Sequence, residues 1–214
     1  MYDARQLRQA MAGRLIIAHL GRPFSAFRHA RILLAYRRAH ELLRQQQSAL
    51  STGDEQLHLC CSLTGEAAYD VQRCITEFFD QAPLPLLARY MRRGLVDFLE
   101  IARRSGIRLG VLSDYPAREK LKAMGVLEYF DVVACTQDEH IRRLKPDPAG
   151  LNYILAALQT PASRALYIGD RPEVDVKSAR AAGVPAVIVG PHAGDSGSGW
   201  VPVRDFSELI QHLS

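Results

Sequence analysis

The chain has 214 residues, of which 48% are hydrophobic, and a formal net charge of +4. This length suffices for one domain with an insert or for two small domains, and the composition excludes a chain that is disordered throughout. The positive excess is too small to indicate a nucleic-acid-binding protein by itself, and no apolar run is long enough to predict a transmembrane helix.

The basic residues are concentrated early, since residues 1–60 carry nine arginines against four acidic residues. A solvated helical surface explains this excess, and a positive rim that attracts an anionic substrate is the alternative. The four cysteines form no C-x-x-C pair, and no apolar segment typical of a signal peptide follows the first charged residues. We therefore expect free thiols and a cytoplasmic location.

The first 88 residues show helical periodicity and few strand signals. Leu7, Met11 and Leu15, for example, recur at the spacing of one helix face. Three helices are predicted, over about residues 7–20, 24–47 and 65–80. A loop is predicted over residues 51–54, and Pro83 and Pro85 predict a stiff connector. We interpret residues 1–88 as a helical domain.

Residues 89–214 alternate helices with short apolar strands. Strands are predicted at residues 107–112, 131–135, 165–168 and 186–189, and helices at 94–105, 117–124, 148–158, 172–182 and 205–213. This alternation predicts a doubly wound α/β domain with a parallel, Rossmann-like sheet. Such sheets bind ligands at the carboxyl ends of their strands.

Polar residues gather at those strand ends. Ser113 and Asp114 follow the first strand, Lys145 follows the second after a loop, and Asp170 and Asp175 follow the third. A hydroxyl can donate to phosphoryl oxygens, an ammonium can neutralise their charge, and carboxylates are hard ligands that suit Mg²⁺. We therefore assign Ser113 and Lys145 as catalytic, the same two residues with Asp114 as substrate-binding, and Asp170 and Asp175 as metal ligands.

Three stretches in this order resemble the second, third and fourth motifs of the haloacid dehalogenase superfamily. They are Gly110–Pro116, Lys145–Pro148 and Gly169–Asp175. The resemblance covers roughly residues 90–190 and is closest to the phosphoglycolate-phosphatase-like subgroup, in which a helical cap precedes the second motif. It implies Mg²⁺-dependent hydrolysis of a small phosphorylated metabolite, with residues 1–88 as the cap. Arg22 and Arg171 are further candidates to contact the substrate anion.

The superfamily's first motif, D-x-D-x-T/V at the tip of the central strand, has no counterpart in this chain. Its first aspartate is the nucleophile that forms an aspartyl-phosphate. Because Met1-Tyr2-Asp3 resembles the residues that follow this motif, we expect the strand and the nucleophile to be encoded upstream of Met1. The missing strand would lie between those that end at Ser113 and Ile168. The alternatives are a catalytically inactive phosphate-binding or regulatory protein and a 2-haloacid dehalogenase, which needs no metal.

Overall fold

The computed structural model describes residues 1–18, 23–46, 53–191 and 199–211. The chain divides into two compact units: Tyr2–Met91 form one, and Met1 with Arg92–Ser214 forms the other. We call the first the helical unit and the second the α/β unit. The predicted division lies between residues 88 and 89. In the described ranges, no helix combines the length and the apolar character needed to cross a membrane.

The described residues of the helical unit form five α-helices, one π-helical segment and one 3₁₀ turn. The helices are α1 (Ala4–Ala18), α2 (Pro23–Gln46), α3 (Gly53–Thr64), α4 (Ala68–Cys74) and α5 (Leu84–Leu87), with a π-helical segment at Ile75–Gln81 and a 3₁₀ turn at Ala88–Tyr90. Helix α3 was not predicted, because the next helix was placed from Gly65. Of the loop predicted over residues 51–54, residues 51 and 52 lie outside the described ranges, and residues 53 and 54 are the first of α3. The predicted proline connector is partly helical, since Pro85 lies within α5.

The core of the helical unit is built around one face of α2. Ile32, Tyr36, Ala39 and Leu43 recur at helical spacing and are all buried. Helix α3 packs against this face with a side that carries Gln56, whose side-chain amide donates a 2.9 Å hydrogen bond to the Tyr36 carbonyl. The buried amide is therefore satisfied, which removes most of the cost of placing it in a core.

The α/β unit alternates strands and helices as predicted. Its strands are β1 (Gly110–Ser113), β2 (Val132–Cys135), β3 (Tyr167–Gly169), β4 (Ala186–Val189) and β5 (Val201–Val203). Its helices are α6 (Leu95–Arg104), α7 (Arg118–Ala123), α8 (Ala149–Ala157), α9 (Lys177–Ala181) and α10 (Phe206–Gln211), with a π-helical segment at Pro172–Val176 before α9. Strand β5 was not predicted.

All strand pairs of this unit are parallel among the described residues. Strand β1 pairs with β2, from Gly110 opposite Val132 to Ser113 opposite Cys135. Strands β3, β4 and β5 form a second, three-stranded sheet in that order. All four residues of β4 are buried, as expected for a strand covered on both faces. The prediction of a parallel α/β fold of the doubly wound class is confirmed.

Helix α8 packs beneath both sheets. Its Leu151 belongs to a buried cluster that includes Ile188 of β4, and its Ile154 belongs to a second cluster that includes Ala134 of β2. Leu112 of β1 packs against both clusters. The two sheets therefore share one covering helix, and their carboxyl ends carry the residues of the predicted site.

Candidate phosphoryl-transfer site

The site begins at the carboxyl end of β1. Ser113 closes this strand, and its hydroxyl accepts a 3.2 Å hydrogen bond from the backbone N–H of Tyr115. The Ser113 carbonyl accepts a 2.8 Å bond from the N–H of Thr136, whose hydroxyl lies 3.4 Å from Asp114 Oδ1. The turns that follow β1 and β2 are thus tied together, which fixes the direction of the chain at Ser113.

Lys145 lies in the loop between β2 and α8, and its side chain is only 12% exposed. The ammonium Nζ donates a 2.8 Å bond to Asp175 Oδ1 and lies 3.4 Å from the hydroxyl of Tyr167. That hydroxyl donates a 3.0 Å bond to the same Oδ1. Lysine, tyrosine and aspartate therefore form one compact buried network.

The other oxygen of Asp175 holds the turn that follows β3. Oδ2 accepts bonds of 3.0 Å from the N–H of Asp170 and 2.9 Å from the N–H of Arg171. A Cβ at Gly169 would lie 2.5 Å from the Cβ of Asp175, so glycine is required for this close approach. The Asp175 carboxylate, which is 3% exposed, thereby joins Lys145 to the backbone at Asp170.

The charges of this network stabilise one another. Burial on its own would lower the pKa of Lys145, but the neighbouring Tyr167, Asp114 and Asp175 outweigh it and raise that pKa above its ordinary value. Burial on its own would raise the pKa of Asp175, but Lys145 and two backbone N–H groups outweigh it and lower that pKa. Burial also raises the pKa of Tyr167. The pair is therefore an ammonium and a carboxylate at neutral pH.

Asp170 is the more accessible of the two predicted metal ligands, with 40% of its side chain exposed. Magnesium is held in proteins by one or two carboxylates, with water and substrate phosphates completing its shell. Asp170 suits that role, whereas Asp175 would have to give up hydrogen bonds to reach an ion directly. Within the part of the chain that the structure describes, no group of three His, Cys, Asp or Glu residues could hold a metal ion. The described donor set therefore fits Mg²⁺ only in part.

Two further residues of this site, Tyr167 and Arg92, were not predicted from the sequence. Tyr167 is the first residue of β3, and the signal that could have found it is a hydroxyl in an otherwise apolar strand, which needs a buried partner. Arg92 belongs to no motif and follows no predicted strand, but its Nη2 lies 4.0 Å from Asp170 Oδ2.

The two arginines that the sequence offered as contacts to a substrate anion are placed differently. Arg22 lies outside the described residues. Arg171 is partly exposed and pairs at 2.8 Å with Glu173. Arg171 contributes to the network around Lys145 through its backbone N–H, which donates to Asp175.

Comparisons with known proteins identify the family of the chain. A family model described as haloacid dehalogenase-like hydrolase matches residues 6–183. The chain is 38% identical over 112 residues to a phosphoglycolate phosphatase from Rhodospirillum rubrum, a match that covers 50% of this chain and 45% of that protein. It is 38% identical over 95 residues to a phosphoserine phosphatase from Thermus thermophilus, covering 43% and 37% respectively.

The fold also matches a solved structure. The crystal structure of CbbY from Rhodobacter sphaeroides in complex with phosphate superimposes with a TM-score of 0.61 at 22% identity, over 98% of this chain and 91% of that one. At this level of identity the likeness shows the fold alone. The matched segments span less than half the length of the two phosphatases.

Proposed function

The chain belongs to the haloacid dehalogenase-like hydrolases, and from that premise we propose that it is a Mg²⁺-dependent phosphatase of small phosphomonoesters that acts through an aspartyl-phosphate. The names of the relatives, phosphoglycolate phosphatase and phosphoserine phosphatase, support the reaction class. The nucleophilic aspartate would come from a segment that precedes Met1. The physiological substrate would be a small phosphorylated metabolite.

The observation that carries the proposal is the buried Lys145 ammonium, fixed by Asp175 beside the strand ends that carry Ser113 and Asp170. In this arrangement Lys145 would neutralise charge that develops on the transferred phosphoryl group, and Ser113 would donate to one of its oxygens. Asp170 would be the direct ligand of Mg²⁺. Asp175 would act by positioning Lys145 and the backbone at Asp170, as outer partners do in metal sites. When bound, the ion would polarise the phosphoryl group.

The test is hydrolysis of p-nitrophenyl phosphate by the chain extended with its upstream in-frame residues. We expect turnover that depends on Mg²⁺ and is lost in EDTA, and we expect Asp170→Asn to abolish most of it. The matched control is Asp97→Asn, which removes the same charge from an exposed position on α6 and leaves turnover unchanged. Turnover of Asp170→Asn at the wild-type rate contradicts the assignment. Halide release from a 2-haloacid without metal would favour the dehalogenase.

A second candidate is a phosphate-binding protein without turnover. It is favoured by the observation that the buried Lys145 ammonium, held by Asp175, can bind an anion without a metal ion. Such a protein would keep Ser113, Lys145 and Asp170 as an anion site. In-frame upstream DNA that contains a stop codon and no D-x-D motif would support it, and so would inactivity of the extended chain.

A further inference from the structure

Arg92 is a buried cation at the edge of the site. It immediately precedes the turn into α6, its backbone N–H donates a 2.9 Å bond to the Met1 carbonyl, and its carbonyl accepts a 3.2 Å bond from the N–H of Leu95. Its side chain is only 14% exposed, whereas the next residue, Arg93, is exposed. The chain therefore holds one of two adjacent arginines inside the α/β unit.

The guanidinium of Arg92 has a buried N–H group that no described residue accepts. Its Nη2 lies 4.0 Å from Asp170 Oδ2, at the outer limit of an ion pair. Its Nε is buried and has no hydrogen-bond acceptor among the described residues. A buried N–H of a charged group that lacks an acceptor is costly, so this geometry favours an acceptor supplied by a ligand.

Charge balance identifies the kind of ligand. Lys145 is already paired with Asp175 at 2.8 Å, so part of its charge is neutralised within the protein. The ion-pair partner of Arg92 is Asp170, which in the proposed function turns to a divalent cation. Beside that cation the guanidinium would be repelled unless an anion lay between them. A phosphoryl group is such an anion, and its oxygens match the paired N–H groups of a guanidinium.

We propose that Arg92 is a second cationic contact for the phosphoryl group of the substrate, which it binds through Nε and Nη2. The inference rests on the proposed function, because it assigns to the same site a residue that recognises the anion. The inference can be tested apart from the proposed function, since binding of a phosphate needs neither the nucleophile nor turnover.

The experiment is calorimetric titration of the chain with inorganic phosphate, without metal and with Mg²⁺. The upstream-extended chain is used, because the 214-residue chain is expected to be less stable, and the 214-residue chain takes its place if no coding sequence precedes Met1. We expect Arg92→Met to raise the Kd for phosphate about ten- to a hundredfold, the loss expected for a charge-assisted hydrogen bond. Arg92→Lys keeps the charge and loses the paired N–H geometry, so an intermediate Kd is expected. Arg93→Met removes one charge from the adjacent exposed position and is the matched control, with a Kd within about twofold of wild type.

Several outcomes overturn the inference. One is that the wild-type chain binds no phosphate at millimolar concentration. Another is that Arg92→Met leaves the Kd for phosphate unchanged, and a third is that Arg93→Met raises this Kd as much as Arg92→Met does. A fourth is that Arg92→Met binds Mn²⁺ more tightly at unchanged phosphate affinity, which would show that Arg92 competes with the cation for Asp170. Circular dichroism checks folding, and if Arg92→Met does not fold, Arg92→Lys against wild type decides. Arginine-dependent phosphate binding without hydrolysis by the extended chain would refute the proposed function and leave this inference standing.

Discussion

At the scale of single residues, the Asp175 carboxylate is the centre of the site. It accepts hydrogen bonds from Lys145, from Tyr167 and from two backbone N–H groups of the turn after β3. A carboxylate buried to this extent is stable as an anion only because these donors surround it. The same bonds keep the Lys145 ammonium in one position, so the lysine needs little reorganisation to face an anion.

Replacing that ammonium tests its role. For Lys145→Ala in the upstream-extended chain, we expect kcat/KM for a phosphomonoester to fall roughly 10²–10³-fold, because the alanine cannot stabilise the charge of the transition state. Lys177→Ala, at an exposed position on α9, is the control and leaves kcat/KM unchanged. Steady-state kinetics with circular dichroism on each variant make the measurement. An unchanged kcat/KM for Lys145→Ala would identify Lys145 as an ordinary loop residue.

The buried thiol of Cys135 gives a prediction on pH. Burial raises the pKa of Cys135 to about 12, whereas a thiol in the unfolded chain ionises near 8.5. The unfolded state therefore loses its proton first as the pH rises, so the stability contributed by the neutral thiol is complete below about pH 8.5 and is lost towards pH 12. We expect the free energy of unfolding to fall by about 1.4 kcal/mol per pH unit between pH 9 and 11 relative to Cys135→Ser. Denaturant titrations at several pH values measure it, and a constant difference contradicts it.

At the scale of elements, helix α8 is fitted closely to β1. A Cβ at Gly150 of α8 would lie 2.8 Å from a methyl group of Leu112, and a Cβ at Gly110 of β1 would lie 2.5 Å from Ile154. Leu112 packs against both hydrophobic clusters, which restricts how far it can move aside. Small residues at the two facing positions thus set the distance between helix and sheet.

This close fit predicts opposite effects for two glycine substitutions in helices. Gly150→Ala is expected to destabilise the α/β unit by about 1–2 kcal/mol, because overpacking against Leu112 exceeds the gain in helix propensity. Gly13→Ala in α1, where a Cβ meets nothing within 4 Å, is expected to stabilise its helix by about 0.5–1 kcal/mol.

The chain's one tryptophan separates the two effects in a urea titration. Trp200 packs against the cluster that contains Leu151 and Ile188, so its fluorescence reports the unfolding of the α/β unit. A lower midpoint by fluorescence is expected for Gly150→Ala, and an unchanged one for Gly13→Ala. An equal or higher midpoint for Gly150→Ala would show that Leu112 yields without cost.

The elements that the sequence predicted are those with a regular apolar pattern. Strand β4 was predicted at its observed bounds because it is a run of four apolar residues. All four are apolar because the strand is buried on both faces. Helix α3 was missed because two of its three buried residues, Gln56 and Thr64, are polar, so its buried face gives little apolar signal. The π-helical segment at Pro172–Val176 was interpreted as ordinary helix, and its first turn is closed by bonds from the backbone N–H groups of Asp170 and Arg171 to the Asp175 side chain. Such tertiary bonds cannot be read from a single sequence.

At the scale of the whole molecule, strand order in a parallel sheet is what made the site predictable. Because polar residues that follow parallel strands share one edge, the sequence could group Ser113, Lys145 and Asp170 before any geometry was known. Arg92 could not be grouped with them, since it precedes a helix and approaches Asp170 only through the folding of the chain. The metal and substrate roles of the grouped residues stay predictions.

The last prediction concerns the space between the two sheets. Strand β1 pairs with β2 and strand β3 pairs with β4, and no other pairing of β1 or β3 occurs among the described residues. We predict that about ten in-frame residues before Met1 form an apolar strand that ends in D-x-D-G-[TV] and pairs with β1 on one side and β3 on the other. Backbone hydrogen bonds on both sides and a row of buried side chains would then be gained.

Expression of the 214-residue chain beside the extended chain makes this testable. We expect the extended chain to be soluble, with one cooperative transition of Trp200 fluorescence in urea, and the 214-residue chain to unfold at a clearly lower urea concentration or to aggregate. The control is an extended chain in which glycine replaces every residue of the added strand that pairs with β1 or β3. This control keeps the chain length but loses the buried side chains. A 214-residue monomer as stable as the extended chain would contradict the prediction, since a strand that completed the sheet would have to add stability.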